Sequence, residues 1–266
     1  MNAEQLDKLL EDARVVVDVA VQFLKSEQRV FSNEVVEYKG FNDLVSYVDK
    51  TSEEILVNGL QKIIPDAGFI TEENTLTLKN RDYVWIIDPL DGTTNFVHGI
   101  PCYCVSVGLT YKQELILGIV HEVNLDECFY ARKGGGAYLN GTKIQVSTIP
   151  SLGKSLVATG FPYHDFKQMK EYMEVFDFCM KNSQGLRRLG SAAVDLAYVA
   201  CGRFEVFYEY GLNPWDIAAG SIIVKEAGGH VSDFNNENDF LFGKEIIASN
   251  STVHNEFQKV VAQSFK

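Results

Sequence analysis

The first 64 residues carry two stretches in which hydrophobic side chains recur every three or four positions. This spacing places them on one face of a helix. It predicts an amphipathic helix over about Ala3–Lys25 and a second over about Asp43–Ile64. Pro65 and Gly68 end the second helix, because neither residue continues a helix well.

From Gly68 to about Val146 the pattern changes to short apolar runs separated by turn residues. Runs of this length, with turn chemistry at residues 133–136 and at Asn140-Gly141, predict strands joined by tight turns. We therefore expect an antiparallel sheet flanked by the two helices. The predicted strands are GFIT, DYVWIID, CYCVSVGLTY, ELILGIVHEV, ECFYARK, GAYLNG and TKIQV.

After Pro150 strands and helices alternate, which is typical of an α/β arrangement. We predict two halves, over 1–148 and 149–266, that share an interface because no long flexible linker separates them. The predicted elements of the second half are strand SLVATG, helix Asp165–Lys181, helix Ser191–Cys201, strand FEVFYE, helix Pro214–Ala227, strands HVSDF and EIIASN, and helix Thr252–Gln263.

The chain of 266 residues has 36 acidic and 24 basic residues, a formal net charge of −12. This acidity argues against direct binding to nucleic acid or to an anionic membrane, since both need clustered Lys and Arg. The N-terminus is acidic where a signal peptide would be basic, and no run of about 18 apolar residues occurs, so we expect a cytoplasmic protein. The five dispersed cysteines favour reduced core thiols.

Candidate chemistry is concentrated in Trp85–Phe96, WIIDPLDGTTNF. A predicted strand delivers Asp88 at its end, Pro89 bends the chain, and Asp91 returns a second carboxylate to the same side. A short helical turn follows, and its first backbone amides can bind an anion such as phosphate. These amides belong to Gly92, Thr93 and Thr94.

Two further acidic positions come from other parts of the chain. Glu72-Glu73 ends the predicted GFIT strand and lies beside Asp88 if that strand neighbours the WIID strand. Asp216 lies at the start of an apolar helix, after a strand and a Gly/Pro turn. Because two carboxylates do not hold Mg²⁺ tightly alone, convergence of these acids predicts a two-metal site.

Each of these pieces also has a purely structural interpretation. Asp91-Gly92 is a common turn pair, Glu72-Glu73 suits a solvated loop, and Asp216 suits a helix N-terminus through the helix dipole. The combination favours the metal site. The chain has no GxxxxGK[ST] or HExxH motif, and its five histidines are scattered, so other catalytic classes lack support.

Five segments of the chain together carry a family resemblance. They are GFITEEN (68–74), WIIDPLDGTTNFVHG (85–99), GGGAYLNG (134–141), GSAAVDLAYVACGRFEVFYEYGL (190–212) and NPWDIAAGSIIVKEAGG (213–229). Through them the chain resembles the inositol monophosphatases, within the lithium-sensitive, metal-dependent sugar phosphatases, over essentially its whole length. The resemblance implies an α+β or α/β fold built as a layered αβαβα sandwich. It also implies a Mg²⁺-dependent phosphate monoester hydrolase in which metal-activated water attacks phosphorus in line.

The resemblance assigns most metal ligands to the N-terminal half, whereas the C-terminal half supplies Asp216 and the residues that select the substrate. A first ion would bind Glu72, Asp88 and the carbonyl oxygen of Leu90. A second ion would bind Asp88, Asp91 and Asp216. A third, weaker ion would lie near Glu72, and Li⁺ would inhibit.

The resemblance also implies roles around the substrate. Thr93, oriented by Asp49, and Glu72 would activate the water. The segment between Lys39 and Asp49 is one residue shorter than the family spacing, so no catalytic role is assigned to Lys39. The sequence itself allows two interpretations of Arg187-Arg188, a phosphate contact or a surface or interface pair, and the second is favoured. The residues expected to meet substrate hydroxyls are Gly190, Ser191, Ala192 and Glu209.

The expected substrate is myo-inositol 1-phosphate or a similar small polyol or sugar monophosphate, because an acid at Glu209 would repel a second anionic group. The alternatives with the same chemistry are fructose 1,6-bisphosphate, 3′-phosphoadenosine 5′-phosphate and histidinol phosphate. An alternative from another class is a regulatory protein that acts through a partner in transcription or ribosome maturation. The resemblance also implies a homodimer.

Overall fold

Two helices form the first layer of the molecule. Helices α1 (Ala3–Glu27) and α2 (Tyr47–Ile63) bury their apolar stripes on one face of a seven-stranded sheet, as the periodicity predicts. Asn2 and Gln5 exchange side-chain-to-backbone hydrogen bonds and so fix the start of α1. The computed structural model describes residues 1–30, 37–40, 43–45, 47–73, 81–162 and 166–265, with backbone alone for 37–40 and 43–45.

Helix α2 begins later than predicted, so the predicted start at Asp43 is wrong. Residues Glu37–Gly40 (β1) and Asp43–Val45 (β2) form an antiparallel pair. The backbone groups of β2 bond across to β1 and are not available for helical bonds. The first buried helical position is Val48, and the helical spacing starts there.

The seven strands of the large sheet are β3 (Gly68–Thr71), β4 (Tyr83–Asp91), β5 (Cys104–Tyr111), β6 (Glu114–Glu122), β7 (Glu127–Arg132), β8 (Gly136–Leu139) and β9 (Thr142–Ile144). They lie in chain order, and the pairs from β4 onward are antiparallel, as predicted. The pair β3–β4 is parallel, which corrects the prediction of a fully antiparallel sheet. The 11 residues between these two strands exceed a hairpin turn and can return the chain to the same end of the sheet.

A second sheet contains β10 (Leu156–Thr159), β11 (Gly185–Arg187), β12 (Val206–Tyr210), β13 (His230–Ser232) and β14 (Glu245–Ser249), in the order β11-β10-β12-β14-β13. Helices α5 (Ala192–Ala200) and α6 (Pro214–Glu226) lie between the two sheets. Helices α4 (Met169–Asn182) and α8 (His254–Ser264) cover the outer face of the second sheet. The layers alternate helix, sheet, helix, sheet, helix, which confirms the αβαβα sandwich.

Three short elements of the C-terminal half were not predicted: a 3-10 turn at Leu152–Lys154, strand β11, and helix α7 (Phe240–Gly243). Each has three or four residues, too few for a hydrophobic period to appear. Helix α4 begins at Met169, and the predicted start at Asp165 lies outside the described residues. The other predicted elements of this half agree with the structure within two residues.

Two expectations drawn from composition can be compared with the structure. All five cysteines are unpaired, and three of them are buried, as expected for core thiols. Within the described ranges, no helix is both long and apolar enough to span a membrane.

Candidate active site

Asp88 and Asp91 lie at the end of β4, on either side of an irregularity in the strand. Asp88 pairs with Ser106 of β5, but Asp91 pairs with Cys104, so three residues of β4 advance against two of β5. Side chains alternate along a strand, and the extra residue of a bulge returns positions three apart to the same side. Both carboxylates therefore line one cavity, and β4 extends to Asp91 instead of ending at Asp88 as predicted.

Hydrogen bonds from neighbouring elements hold both carboxylates. The backbone N–H of Leu90 donates to Asp88 Oδ1 at 3.0 Å. Asp91 Oδ2 accepts from Ser191 Oγ and from the backbone N–H of Ala193, both at 2.7 Å. Ser191 is the N-cap residue of α5, so the Asp91 carboxylate sits at that helix's first turn, where the helix dipole favours negative charge.

Gly92 turns the chain from β4 into the short helix α3 (Thr93–Val97). Its φ of +99° lies in the left-handed region, and a Cβ there would lie 3.0 Å from the carbonyl oxygen of Cys102. Glycine is therefore required at this turn. Gly92 and the first two residues of α3 line the cavity, so the predicted phosphate-binding turn opens onto it.

The Thr93 side chain is held between α2 and β4. Its hydroxyl lies 3.0 Å from Asp49 Oδ1 and 3.0 Å from the carbonyl oxygen of Leu90, so it can donate to either acceptor. Asp49 is buried in the first turn of α2. The structure thus brings together the threonine and the aspartate that the resemblance pairs.

Glu53, one helical turn after Asp49, was not predicted to belong to the site. It is fully buried and accepts hydrogen bonds from Thr71 Oγ1 at 2.9 Å and from the backbone N–H of Glu73 at 2.8 Å. These bonds fix the turn after β3, which carries Glu72. The sequence signal was an acidic residue four positions from Asp49, within the apolar stripe of α2, where packing alone would not place one.

Glu72 reaches the cavity because β3 lies beside β4. Thr71 pairs with Ile87, so the residues that follow each strand emerge at the same end of the sheet. The condition on which the sequence placed Glu72 beside Asp88 is therefore met, and both residues line the same cavity.

Asp216 enters the cavity from the other side, at the start of α6. Its Oδ2 accepts from the backbone N–H of Asn213 at 2.7 Å, and Pro214 occupies the first helical position. The carbonyl oxygen of Trp215 accepts from Ser106 Oγ of β5 at 3.3 Å, which ties the helix start to the large sheet. Asp216 therefore caps its helix and lines the cavity at once.

The carboxylates share a buried and strongly negative environment. Burial, followed by the charges of Glu72, Asp91 and Asp216, raises the pKa of Asp88 well above its usual range. Burial raises the pKa of Asp91 to about 6, although the hydrogen bond from Ser191 opposes the shift. Burial and the charge of Asp91 raise the pKa of Asp216 to about 7. A bound divalent cation would favour the ionised forms and reverse these shifts.

The carboxylates line the cavity without closing into a cage. In the described part of the chain, no three Asp, Glu, His or Cys side chains form a ready ligand group for a metal ion. The acids that the sequence assigns to a two-metal site are thus separate carboxylates that line one cavity. The predicted metal-site residues that line it are Glu72, Asp88, Leu90, Asp91 and Asp216.

The cavity has a volume of about 400 Å³, and the C-terminal half forms its far wall. Glu209 of β12 is buried and packs its carboxylate against Gly160, where a Cβ would overlap both carboxylate oxygens. Burial, followed by the charges of Asp195 and Asp216, raises the pKa of Glu209 well above its usual range. The other predicted substrate residues on this wall are Gly190, Ser191 and Ala192.

Arg188 lines the cavity, whereas the sequence favoured a surface or interface role for it over a phosphate contact. It is exposed and places its guanidinium carbon 5.4 Å from the centre of the Phe161 ring. Its charge lowers the pKa of Asp91, which opposes the effect of burial. Arg187 is also exposed, and the side chain of Lys39 lies outside the described residues.

Comparison with known proteins adds a family to this geometry. The sequence matches the model of the inositol monophosphatase family over residues 5–266. The chain belongs to the inositol monophosphatase family. The resemblance seen in the sequence is thereby confirmed, and the site is that of a phosphatase family.

The proteins that this chain is similar to carry several names. The chain is 43% identical over 223 residues to the fructose-1,6-bisphosphatase/inositol-1-monophosphatase of Thermotoga maritima, covering 84% of each protein. It is 42% identical over 221 residues to the Nus factor SuhB of Pseudomonas aeruginosa, covering 81% of this chain and 82% of that protein. The crystal structure of extragenic suppressor protein suhB from Bartonella henselae matches it with a TM-score of 0.89 at 36% identity, covering 94% and 97% of the two chains.

Proposed function

We propose that this member of the inositol monophosphatase family is a Mg²⁺-dependent hydrolase of a small polyol monophosphate, such as myo-inositol 1-phosphate. The observation that supports this most is the meeting of carboxylates from β3, β4 and α6 in one cavity with the start of α3. A phosphate dianion can approach these carboxylates only with cations between them, whereas the α3 turn is suited to hold its oxygens.

The donor set fits Mg²⁺. Its members are oxygen donors, and Mg²⁺ usually takes one or two carboxylates and completes its octahedron with waters and substrate phosphate. An arrangement that stays open toward the cavity meets that preference. One ion would bind Glu72, Asp88 and the Leu90 carbonyl, a second would bind Asp88, Asp91 and Asp216, and a third, weaker ion would lie near Glu72. When bound, the ions would neutralise phosphate charge, lower the pKa of water and stabilise the leaving oxygen.

The chain's own groups would position the reactants. With the Thr93 hydroxyl donating to Asp49, its oxygen is free to accept a hydrogen bond from the attacking water. Glu72 would orient the same water from the β3 side. The backbone amides of Gly92, Thr93 and Thr94 would hold the phosphate so that attack is in line with the leaving oxygen.

The far wall supports a hydroxyl-rich leaving group. A buried carboxylate at Glu209 accepts hydrogen bonds from hydroxyls and repels a second phosphate. Ser191 is committed to Asp91, so substrate contacts there would come from the lone pairs of its oxygen and from the backbone. This wall favours inositol 1-phosphate over fructose 1,6-bisphosphate and 3′-phosphoadenosine 5′-phosphate, each of which carries a second phosphate. Histidinol phosphate has no second phosphate, and the assay below decides between it and inositol 1-phosphate.

The test is phosphate release, with and without Mg²⁺, from inositol 1-phosphate, 2-glycerophosphate and the three rival esters. Asp91→Asn removes a proposed ligand with little change of shape, and Asp66→Asn, at an exposed position outside the cavity, is the matched control. We expect Mg²⁺-dependent turnover that is fastest on inositol 1-phosphate, is lost in Asp91→Asn and persists in Asp66→Asn. Equal rates of phosphate release with and without Mg²⁺, or no release from any ester, would overturn the proposal. Adding Li⁺ to the same assay tests the expected inhibition.

The similarity to a Nus factor motivates a second candidate, a regulatory role through a protein partner. The net charge of −12 favours a protein over direct nucleic-acid contact. If Asp91→Asn loses turnover but restores the cellular phenotype of a deletion, the regulatory role is independent of catalysis. We also propose a cytoplasmic homodimer, which light scattering after size-exclusion chromatography tests.

A further inference from the structure

Asp195 is an acidic residue of the cavity to which no role has been given above. It lies one turn into α5, four positions after the N-cap Ser191, so both residues belong to the same helical face. The side chain is 1% exposed and lines the cavity together with Glu209. Its Oδ1 atom is buried and has no hydrogen-bond partner among the described residues.

Two other buried acids in the described part of the chain, unlike Asp195, have hydrogen-bond donors. Asp233 accepts hydrogen bonds from three backbone N–H groups. Glu205 accepts from the backbone N–H of Leu156 at 2.6 Å. A buried carboxylate oxygen without a donor destabilises the fold, because it has lost its hydrogen bonds to water and has none within the protein to replace them. An oxygen of this kind on a cavity wall is suited to a donor that arrives with a ligand.

The surroundings of Asp195 indicate which donor that is. Burial raises the pKa of Asp195 well above its usual range, and Asp195 is the charged group with the largest effect on the pKa of Glu209, so the two acids lie close together on the far wall. The charge of Arg188 lowers the pKa of both acids, but the Arg188 side chain is exposed and its guanidinium lies over Phe161. Two acceptors side by side match two neighbouring hydroxyls of a neutral polyol and oppose a leaving group that carries another anion.

We propose that Asp195 is a specificity-determining residue that accepts a hydrogen bond from a leaving-group hydroxyl next to the hydroxyl bound by Glu209. The proposal rests on the phosphatase function given above and narrows it to esters of polyols with neighbouring hydroxyls. Phosphate binding and water activation stay with the other wall of the cavity. Asp195 therefore discriminates between leaving groups and takes no part in the chemical step.

The test compares two variants at this position across three esters. Asp195→Ala removes the acceptor, and Asp195→Asn keeps the shape but removes the charge. The esters are myo-inositol 1-phosphate, p-nitrophenyl phosphate, whose leaving group lacks neighbouring hydroxyls, and fructose 1,6-bisphosphate, which carries a second phosphate. Glu205→Gln, at a buried acid outside the cavity, is the matched control.

In Asp195→Ala we expect the ratio of kcat/KM for inositol 1-phosphate to that for p-nitrophenyl phosphate to fall about 10- to 100-fold, the range for one lost hydrogen bond to a charged group. In Asp195→Asn we expect the ratio for fructose 1,6-bisphosphate to p-nitrophenyl phosphate to rise severalfold. Glu205→Gln should leave both ratios unchanged. Ratios within twofold of wild type in both Asp195 variants would overturn the proposal, since a merely structural role lowers all three activities together.

Calorimetric titration with free myo-inositol separates this inference from the proposed function. If the wild-type protein hydrolyses no ester but binds myo-inositol at least tenfold more tightly than Asp195→Ala does, the role of Asp195 stands and the hydrolase proposal fails. If the wild-type protein hydrolyses inositol 1-phosphate and Asp195→Ala binds myo-inositol as wild type does, the hydrolase proposal stands and the role of Asp195 fails.

Discussion

Gly118→Ala tests whether α6 rests directly on the large sheet and thereby positions Asp216. Gly118 of β6 pairs with Gly108 of β5, and the two glycines leave a flat notch under α6. A Cβ at position 118 would lie 2.5 Å from both the carbonyl oxygen of Ala219 and Cγ2 of Ile222. Ordinary contacts between carbon atoms are about 3.5–4.0 Å, so the helix must move outward by about 1 Å.

Displacement of this size has two measurable consequences. Overpacking a core by one methyl group costs about 1–3 kcal/mol. With about 2.1 cal/mol/K of unfolding entropy per residue, a chain of 266 residues should lose about 2–5 °C in Tm. Because α6 carries Asp216 at its start, a shift of about 1 Å at the site should also lower kcat by about 100-fold.

The assays are thermal unfolding followed by circular dichroism and Mg²⁺-dependent phosphate release. Gly153→Ala is the control, because the atom closest to its new Cβ, the carbonyl oxygen of Asn182, would be 4.0 Å away. That variant should unfold at or slightly above the wild-type temperature. A Gly118→Ala protein with wild-type Tm and wild-type kcat would refute the close packing of α6 on β5 and β6.

Three further outcomes are expected. Ser191→Ala removes a hydrogen bond to Asp91 and the N-cap of α5, so the free energy of unfolding should fall by about 1 kcal/mol and half-maximal activity should require more Mg²⁺. An unchanged Mg²⁺ titration would contradict this. Thr93→Val should lower kcat about 100-fold or more with little change in KM, whereas Thr93→Ser, which keeps the hydroxyl, should retain most activity. Equal losses of activity in the two variants would exclude a role for the hydroxyl. Burial and the charge of His230 lower the pKa of His254 to about 4, so the unfolded chain takes up this proton first as the pH falls. The contribution of His254 to the free energy of unfolding is intact above about pH 6.5 and is lost as the pH falls toward 4. The loss reaches about 2 kcal/mol at pH 5. In urea unfolding, the difference in the free energy of unfolding between pH 7.5 and pH 5 should be smaller for His254→Gln than for the wild type.

Much of the architecture follows from local patterns. Helical spacing places α1, α5, α6 and α8 within two residues of their observed ends, because burial of one face imposes a period on many consecutive residues. The WIIDPLDGTT string likewise shows its chemistry locally: two acids, a bend and a turn rich in free amides stand within ten residues. The sequence placed Glu72 beside Asp88 on the condition that β3 neighbours β4, and the observed pairing of the two strands meets that condition.

Other features depended on contacts between distant segments. The bulge that turns Asp88 and Asp91 to the same side exists only in the register of β4 against β5. Glu53 becomes a site residue because Thr71 and the backbone of Glu73 donate to it across 18 and 20 residues of chain.

The sequence by itself therefore determined the layers, the family and the acids at the strand ends, since these are set by hydrophobic period and by local motifs. Only the tertiary structure decided which buried acid is satisfied and which, like Asp195, faces the cavity with an oxygen unpaired. The physical reason is that burial of a side chain can be inferred from its own segment, whereas its hydrogen-bond partners come from elements whose relative position depends on the packing of the whole chain.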